Sequence, residues 1–469
     1  MWKILKYGLL GWIALSVVTA PLYWPYLRML WIFNIRVAAP QFDPPSSESE
    51  ARLQDVEYLA TLIDYDRSFD ETERVAFTDK LTNLRANVET LSDAGFYLGI
   101  AEAVALADNG HTNVSYRAQY TQFETIGARL YRFSDGVFIV STAPEHEAFL
   151  GRKVLAIEGT PVDSVRERLR PYRGGNTVWR DLYSLLIVES PELLEATGLS
   201  SSPDHITMTL EADDGTIDQV RFAGRPLDDD ADVPGRRGWQ SLVPGGATHG
   251  FENWIHVADA GRGQLPNYLR EPDVPTSYAL PNDGLYIRAL PGFQAGERSI
   301  KSVYRDVLAE HPDGSLDYLV VDFRLHDGGD YLKSMAFAKS APDAVKPDGT
   351  VYIITGPNTF SAAIVTVAML KYYSGDRAII VGEEMGDREQ FWAERGTSFR
   401  LPNSGYYINY ATGYHDWKKG CKGEPYCFTM NEMHEVPAGS LSPEVVLTSS
   451  FGEYQNGQDV VLDWIESQQ

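Results

Sequence analysis

The chain has 469 residues, enough for two or three domains with sizeable cores. Its formal net charge is −24 and its pI is near 4.8. That excludes a nucleic-acid binder, which needs a basic patch, and suits a body that works outside the cytoplasm.

The first element is apolar. Tyr7 to Leu27 forms a run of 21 residues without a charge, with Lys3 and Lys6 before it and Arg28 after it. That length can span a bilayer, and Trp2, Trp12 and Trp24 suit its interface. The expectation is a signal-anchor over residues 1–35. It makes a single-pass inner-membrane protein with its body on the periplasmic or extracytoplasmic side. The alternative is a cleaved export signal with Val18-Thr19-Ala20 as its cleavage box, which puts Pro21 first in the mature chain.

"APQFDPPSSESE" then reads as a linker. The following stretches predict helices, with Leu53, Val56, Leu59 and Leu62 on one face of the first. A third helix, "DAGFYLGIAEAVALADNG", predicts Gly110 as its C-cap. His111 follows at once. Residues 36–125 thus form a helical segment that carries His111.

Residues 126–225 change to short strands. Hairpins are predicted at Asp135-Gly136 and Asp214-Gly215. The acidic run Asp228–Asp230 reads as a solvated loop, since three adjacent carboxylates do not make a calcium site.

Residues 226–469 read α/β. "LDYLVVDFRL", "VYIITG" and "RAIIVG" are buried strands, and "SAAIVTVAMLKYY" is a helix between two of them. Such alternation predicts a parallel sheet. Cys421 and Cys427 are the chain's two cysteines. A four-ligand zinc site is therefore unsupported, and a small disulfide loop is expected after export. No cofactor or metal is implied.

In an open parallel sheet, sites form beyond the carboxyl ends of the strands. Two loops qualify, "RLHDGGD" and "GPNTF". Gly328 and Gly329 allow close approach of the backbone to a ligand. Ser361 opens a helix, where the Ala362 N–H is unsatisfied and the dipole is positive. Ser361 is thus either a helix cap or a nucleophile. A nucleophile needs a base. Lys371 lies nearly three turns away, and His111 qualifies only if the fold brings it near.

At these residues the chain resembles the carboxy-terminal-processing (tail-specific) serine peptidase superfamily. "LVVDFRLHDGGD", "TFSAAIVTVAMLKYYSGDRAIIVGEEMG" and "LSPEVVLTSSFGEYQNGQDVVLDWI" match three of its blocks in order. "ALADNGHT" is similar to its His-Thr segment, and "GVFIVSTAPEHEAFLGRKVLAIEGTPVDSV" to its PDZ-like module. The resemblance covers roughly residues 50 to 465. It implies a parallel-sheet peptidase core of crotonase-like βαβ units, with an inserted PDZ-like β-rich module. The implied activity is that of a serine endopeptidase acting on polypeptides outside the cytoplasm. Ser361 is the implied nucleophile and His111 the base. Gly329 (or Gly328) and Ala362 supply the oxyanion hole.

Two departures matter. Arg388 stands near the place where lysine-type members carry a catalytic lysine, and arginine cannot serve as a base. Ile364 replaces a glutamate found in many relatives. The pattern therefore resembles the tricorn-type branch, in which a carboxylate assists the histidine. Asp416 is the first candidate for that role and Glu383 the second, with the Thr112 hydroxyl available as a link. The alternative function is an inactive protein that captures peptides through the PDZ-like module by strand addition. Expected partners are polypeptide substrates and, through the N-terminal helix, a membrane; a homo-oligomer is left open.

Overall fold

The computed structural model describes residues 19–20, 23–33, 35–226, 238–245, 253–259, 262–291, 294–295 and 298–469. The acidic run at 228–230 lies outside them. The fold is mixed α/β.

At its centre lies a six-stranded sheet. Its order is Thr276–Leu280, Gly284–Arg288, Leu316–Asp322, Val345–Thr355, Ala378–Gly382, Val445–Val446. The first pair is antiparallel and the other neighbours are parallel. Successive side chains point to opposite faces, and here both faces are covered. Leu319, Val321, Val351 and Ile353 share one core with the helix Ala362–Ser374. Val320, Tyr352, Ile354 and Val381 share another with the helix Val460–Ser467. Burial on both faces explains why these strands read as continuous apolar runs.

The charges of "DFR" and "GQD" tie this sheet to the last helix. Arg324 forms a fork with Asp322 and with Asp459, the N-cap of Val460–Ser467. The two carboxylates, with Asp459 bonded at 2.7 Å, hold the buried guanidinium well above its ordinary pKa despite the opposing effect of burial. These residues carry structure rather than chemistry.

A second sheet runs in the order Thr125–Ile126, Ile217–Arg225, His205–Glu211, Lys153–Ile157, Gly136–Thr142, Ala128–Phe133. It contains both expected hairpins, with Gly136 and Gly215 at φ +141° and +81°. It also holds a helix the strand pattern did not reveal, Thr177–Val188, capped by the Asn176 side chain.

The three long helices after the linker are Glu48–Leu59, Glu71–Asn87 and Asp93–Ala105, with the one-turn helix Leu62–Tyr65 between the first two. Ser47, Asp70 and Ser92 cap them through their side chains. Val56, Leu59 and Leu62 are fully buried, whereas Leu53 is 40 % exposed. The third helix ends at Ala105 with Leu106 as its cap, so Gly110 has another role.

The expected membrane anchor needs correction. Among the described residues no helix is long and apolar enough to cross a membrane, which disagrees with a single-pass protein. Much of the uncharged run (residues 7–18, 21 and 22) lies outside the described residues. Its last residues open a helix over 23–33 that packs on the body through residues beyond the run. Ile32 is fully buried in the core beside the Ala362–Ser374 helix. Trp31 stacks on Tyr426 at 5.6 Å, and Arg28 pairs with Glu432 and donates to the Glu424 carbonyl. Tyr426 and Glu424 belong to the loop closed by the Cys421–Cys427 disulfide.

Candidate active site

Three consecutive loops leave the carboxyl edge of the parallel sheet. They follow Asp322, Thr355 and Gly382, and they carry Gly328–Gly329, Ser361 and Asp387. Hydrogen bonds lock the loops together. Phe360 N donates to the His326 carbonyl at 3.2 Å, and Gly386 N to the Thr359 carbonyl at 3.0 Å. The Thr359 hydroxyl donates to the Phe323 carbonyl at 3.0 Å and accepts from Gly356 N.

Ser361 sits at the N-cap position of Ala362–Ser374, but its side chain caps nothing. Its backbone has φ +54° and ψ −119°, a region that residues with a Cβ seldom adopt. Such a conformation costs of order 1–3 kcal/mol and persists only where the surroundings impose it. The helix-cap reading therefore fails, and the hydroxyl is left for other work.

The adjoining glycines are required by space. A Cβ on Gly328 would lie 3.0 Å from the Ser361 Cβ, and the φ is already +131°. Gly328 N donates to His326 Nδ1. Gly329 N and Ala362 N have no acceptor among the described residues. Both residues line a cavity of about 410 Å3 together with Ser361 and His111. Two such N–H groups beside a serine are what a tetrahedral oxyanion needs.

His111 reaches this cavity from the segment after the third helix. Asn109 accepts from Trp392 N and donates to the Thr112 hydroxyl. Thr112 donates to Asp66 at 2.7 Å, and Asp66 also accepts from Ala411 N. Burial raises the pKa of Asp66 above its ordinary value, against these hydrogen bonds. Arg388 donates to the Asp108 carbonyl at 2.9 Å and pairs with its carboxylate. Arg388 thus holds the backbone leading to His111. The imidazole itself lies between Phe360 and Phe391, with ring centroids at 4.4 and 5.3 Å.

The carboxylate facing His111 is that of Asp387, with Oδ2 3.4 Å from Nδ1. Asp387 is 3 % exposed, and its Oδ1 accepts from Arg388 N. A Cβ on Gly110 would lie 2.9 Å from Asp387 Oδ2, so glycine lets the two segments meet. The sequence reading did not single out Asp387, although it adjoins Arg388 in a segment already in view. Its signal was its place on the loop after the next strand along, Ala378–Gly382.

The two carboxylates expected from sequence do other things. Asp416 accepts from Gln390 Nε2 and from the backbone N–H groups of Lys418 and Lys419. It lies next to His415 in the strand Gly413–Asp416, and neighbours in a strand point to opposite faces. His415 faces the cavity, so Asp416 closes the turn toward the disulfide loop. Thr112, bonded to Asp66, makes no link to it. Glu383 lines a separate cavity of about 260 Å3 with Arg132 and Arg166. Burial raises its pKa, with Arg132 opposing.

No family model matches the chain, and no curated protein matches it. Solved structures do. Mature CPAF complexed with lactacystin is 13 % identical, covers 90 % of this chain and 98 % of its own, and has a TM-score of 0.57. Mature CPAF alone is 13 % identical, covers 89 % and 96 %, and has a TM-score of 0.56. The photosystem II D1 C-terminal processing protease is 14 % identical over 86 % and 93 %, with a TM-score of 0.33. At these identities the CPAF likeness shows the fold alone.

Proposed function

We propose that the chain is a serine endopeptidase acting on polypeptides, with Ser361 as nucleophile and His111 as general base. The observation that carries this reading is the uncapped, strained Ser361 sharing one cavity with His111, which in turn faces the buried Asp387. Asp387 replaces Asp416 as the assisting acid, because it is the carboxylate against Nδ1. In that position it fixes the imidazole tautomer and stabilises the imidazolium formed during attack.

In this mechanism His111 removes the Ser361 proton as Oγ attacks a peptide carbonyl. Negative charge grows on the carbonyl oxygen, where the N–H groups of Gly329 and Ala362 receive it. His111 then gives the proton to the leaving amine. Water repeats the cycle on the acyl-enzyme. Residues 126–225 serve as a PDZ-like module that presents polypeptide to the crotonase-like core. The Cys421–Cys427 disulfide supports work in an oxidising compartment.

A fluorophosphonate probe tests the reading. It labels the full chain at Ser361, and His111→Ala loses the label while keeping its melting temperature. An unlabelled wild-type chain would favour the peptide-capture alternative.

A further inference from the structure

The catalytic cavity contains more polar chemistry than a serine peptidase mechanism uses. Most of its wall is apolar, including Val365, Phe391, Phe428 and Met430. Two carboxylates also line it, Asp330 and Glu394, and no Lys or Arg does among the described residues. His415, which is 1 % exposed, places Nε2 3.3 Å from Glu394 Oε1. Its Nδ1 has no hydrogen-bond partner. The Tyr331 hydroxyl is likewise unpartnered, on a residue only 8 % exposed.

These groups gather around one ring. Phe428 lies 6.5 Å from Tyr331 and 5.0 Å from His415, and the charge of Glu394 acts on Tyr331. Burial holds His415 below its ordinary pKa. At neutral pH it is therefore uncharged and does not cancel Glu394. A carboxylate whose charge has only a neutral imidazole beside it among the cavity's lining residues, and an unpartnered hydroxyl, make this part of an otherwise apolar wall suited to a cationic group.

We propose that this cavity takes a substrate side chain with an apolar stem and a cationic head, lysine or arginine, whose head is bound by Glu394 and the Tyr331 hydroxyl. The proposal rests on the serine peptidase reading, and it assigns cleavage to the bond after a basic residue. The methylene stem lies along Phe391, Phe428 and Val365, as long cationic side chains do on apolar surfaces. The head recovers its lost hydration through charge-assisted hydrogen bonds.

Fluorogenic peptides differing at one position, with lysine, arginine, citrulline or norleucine before the scissile bond, test this. The expected kcat/KM for lysine exceeds that for norleucine at least about tenfold, and Glu394→Gln lowers that ratio at least about tenfold. A norleucine peptide cleaved as well as the lysine peptide overturns the proposal. So does a ratio untouched by Glu394→Gln in a folded variant. Binding to Ser361→Ala separates this inference from the peptidase reading. n-Pentylammonium binds that variant at least about tenfold more tightly than 1-pentanol, by competition NMR, if the cavity is cation-selective. Equal binding sinks the inference even if the serine is reactive. Selective ammonium binding with no cleavage and no labelling keeps the cation site and removes the peptidase.

Discussion

Two histidine–carboxylate pairs flank one phenylalanine. On one side of Phe391 lies His111, with Nδ1 3.4 Å from Asp387. On the other lies His415, stacked at 4.8 Å, with Nε2 3.3 Å from Glu394. The distances are nearly equal, and both histidines line the same cavity. The surroundings differ. The His111 side chain is 17 % exposed, on a segment packed against the Ser361 loop, whereas that of His415 is 1 % exposed among aromatic rings. A histidine beside a carboxylate is thus not by itself a base. It must also meet a proton to move and tolerate charge while moving it.

The comparison is broken most directly by exchanging the histidines' fates. His111→Ala is expected to lower kcat/KM about 10^4-fold, the scale on which a triad member acts. His415→Phe is expected to cost less than about tenfold, because it removes no proton carrier. Comparable losses in the two variants, in a peptidase assay, would make the pairs equivalent and dissolve the distinction.

The carboxylates come next. Asp387→Asn leaves the wrong tautomer favoured and lowers kcat about 10^2- to 10^4-fold with little change in melting temperature. Asp416→Asn has the opposite profile, since its carboxylate closes a turn. It lowers the melting temperature and changes kcat less than about tenfold. Paired calorimetry and steady-state kinetics on the two variants decide between them.

Smaller effects sharpen the contrast. Ser361→Gly relieves a backbone conformation that costs about 1–3 kcal/mol, and it raises the melting temperature above that of Ser361→Ala. Equal melting temperatures would mean that the φ of +54° carries no strain. The smallest expected signal is pH dependence. Burial places the folded pKa of His415 below its unfolded value, so the unfolded chain binds more protons in the window between the two. Stability from this group is present above the unfolded value, about 6.5, and is lost as pH falls below it. The melting temperature of His415→Phe therefore falls less steeply between pH 7 and 5 than that of the wild type.

Part of this candidate site is legible in the sequence. Ser361, Gly329 and Ala362 stand on features with local signals, namely strand ends, a helix start and a glycine pair, whereas His111 is implied only by the family resemblance. Asp387 has only the weaker signal of lying on the loop after the strand Ala378–Gly382. It lies in an irregular loop, and its value comes from Gly110, which approaches it from another part of the chain. Asp416 had a better-looking position, at the end of a strand, but strand alternation turns its carboxylate away. The helix Thr177–Val188 hid within a β-rich stretch, where tertiary packing rather than pattern decides. The apolar run at the start promised a bilayer, yet the helix over 23–33 rests on the body through Ile32 and Trp31 while Tyr23, Trp24, Tyr26 and Leu27 stay exposed.

That last feature bears on how the protein is handled in the laboratory. Met29 and Phe33 form part of the wall around Ser361. Ile35 supplies a carbonyl to Thr397 N, and Ile32 one to the Thr412 hydroxyl. A shortened chain that starts after residue 35, a natural choice for raising yield, would lose one side of the cavity around Ser361 and the acceptors of these two bonds. Ser361 would then face a wider, wetter cavity than it does in the chain that keeps these residues.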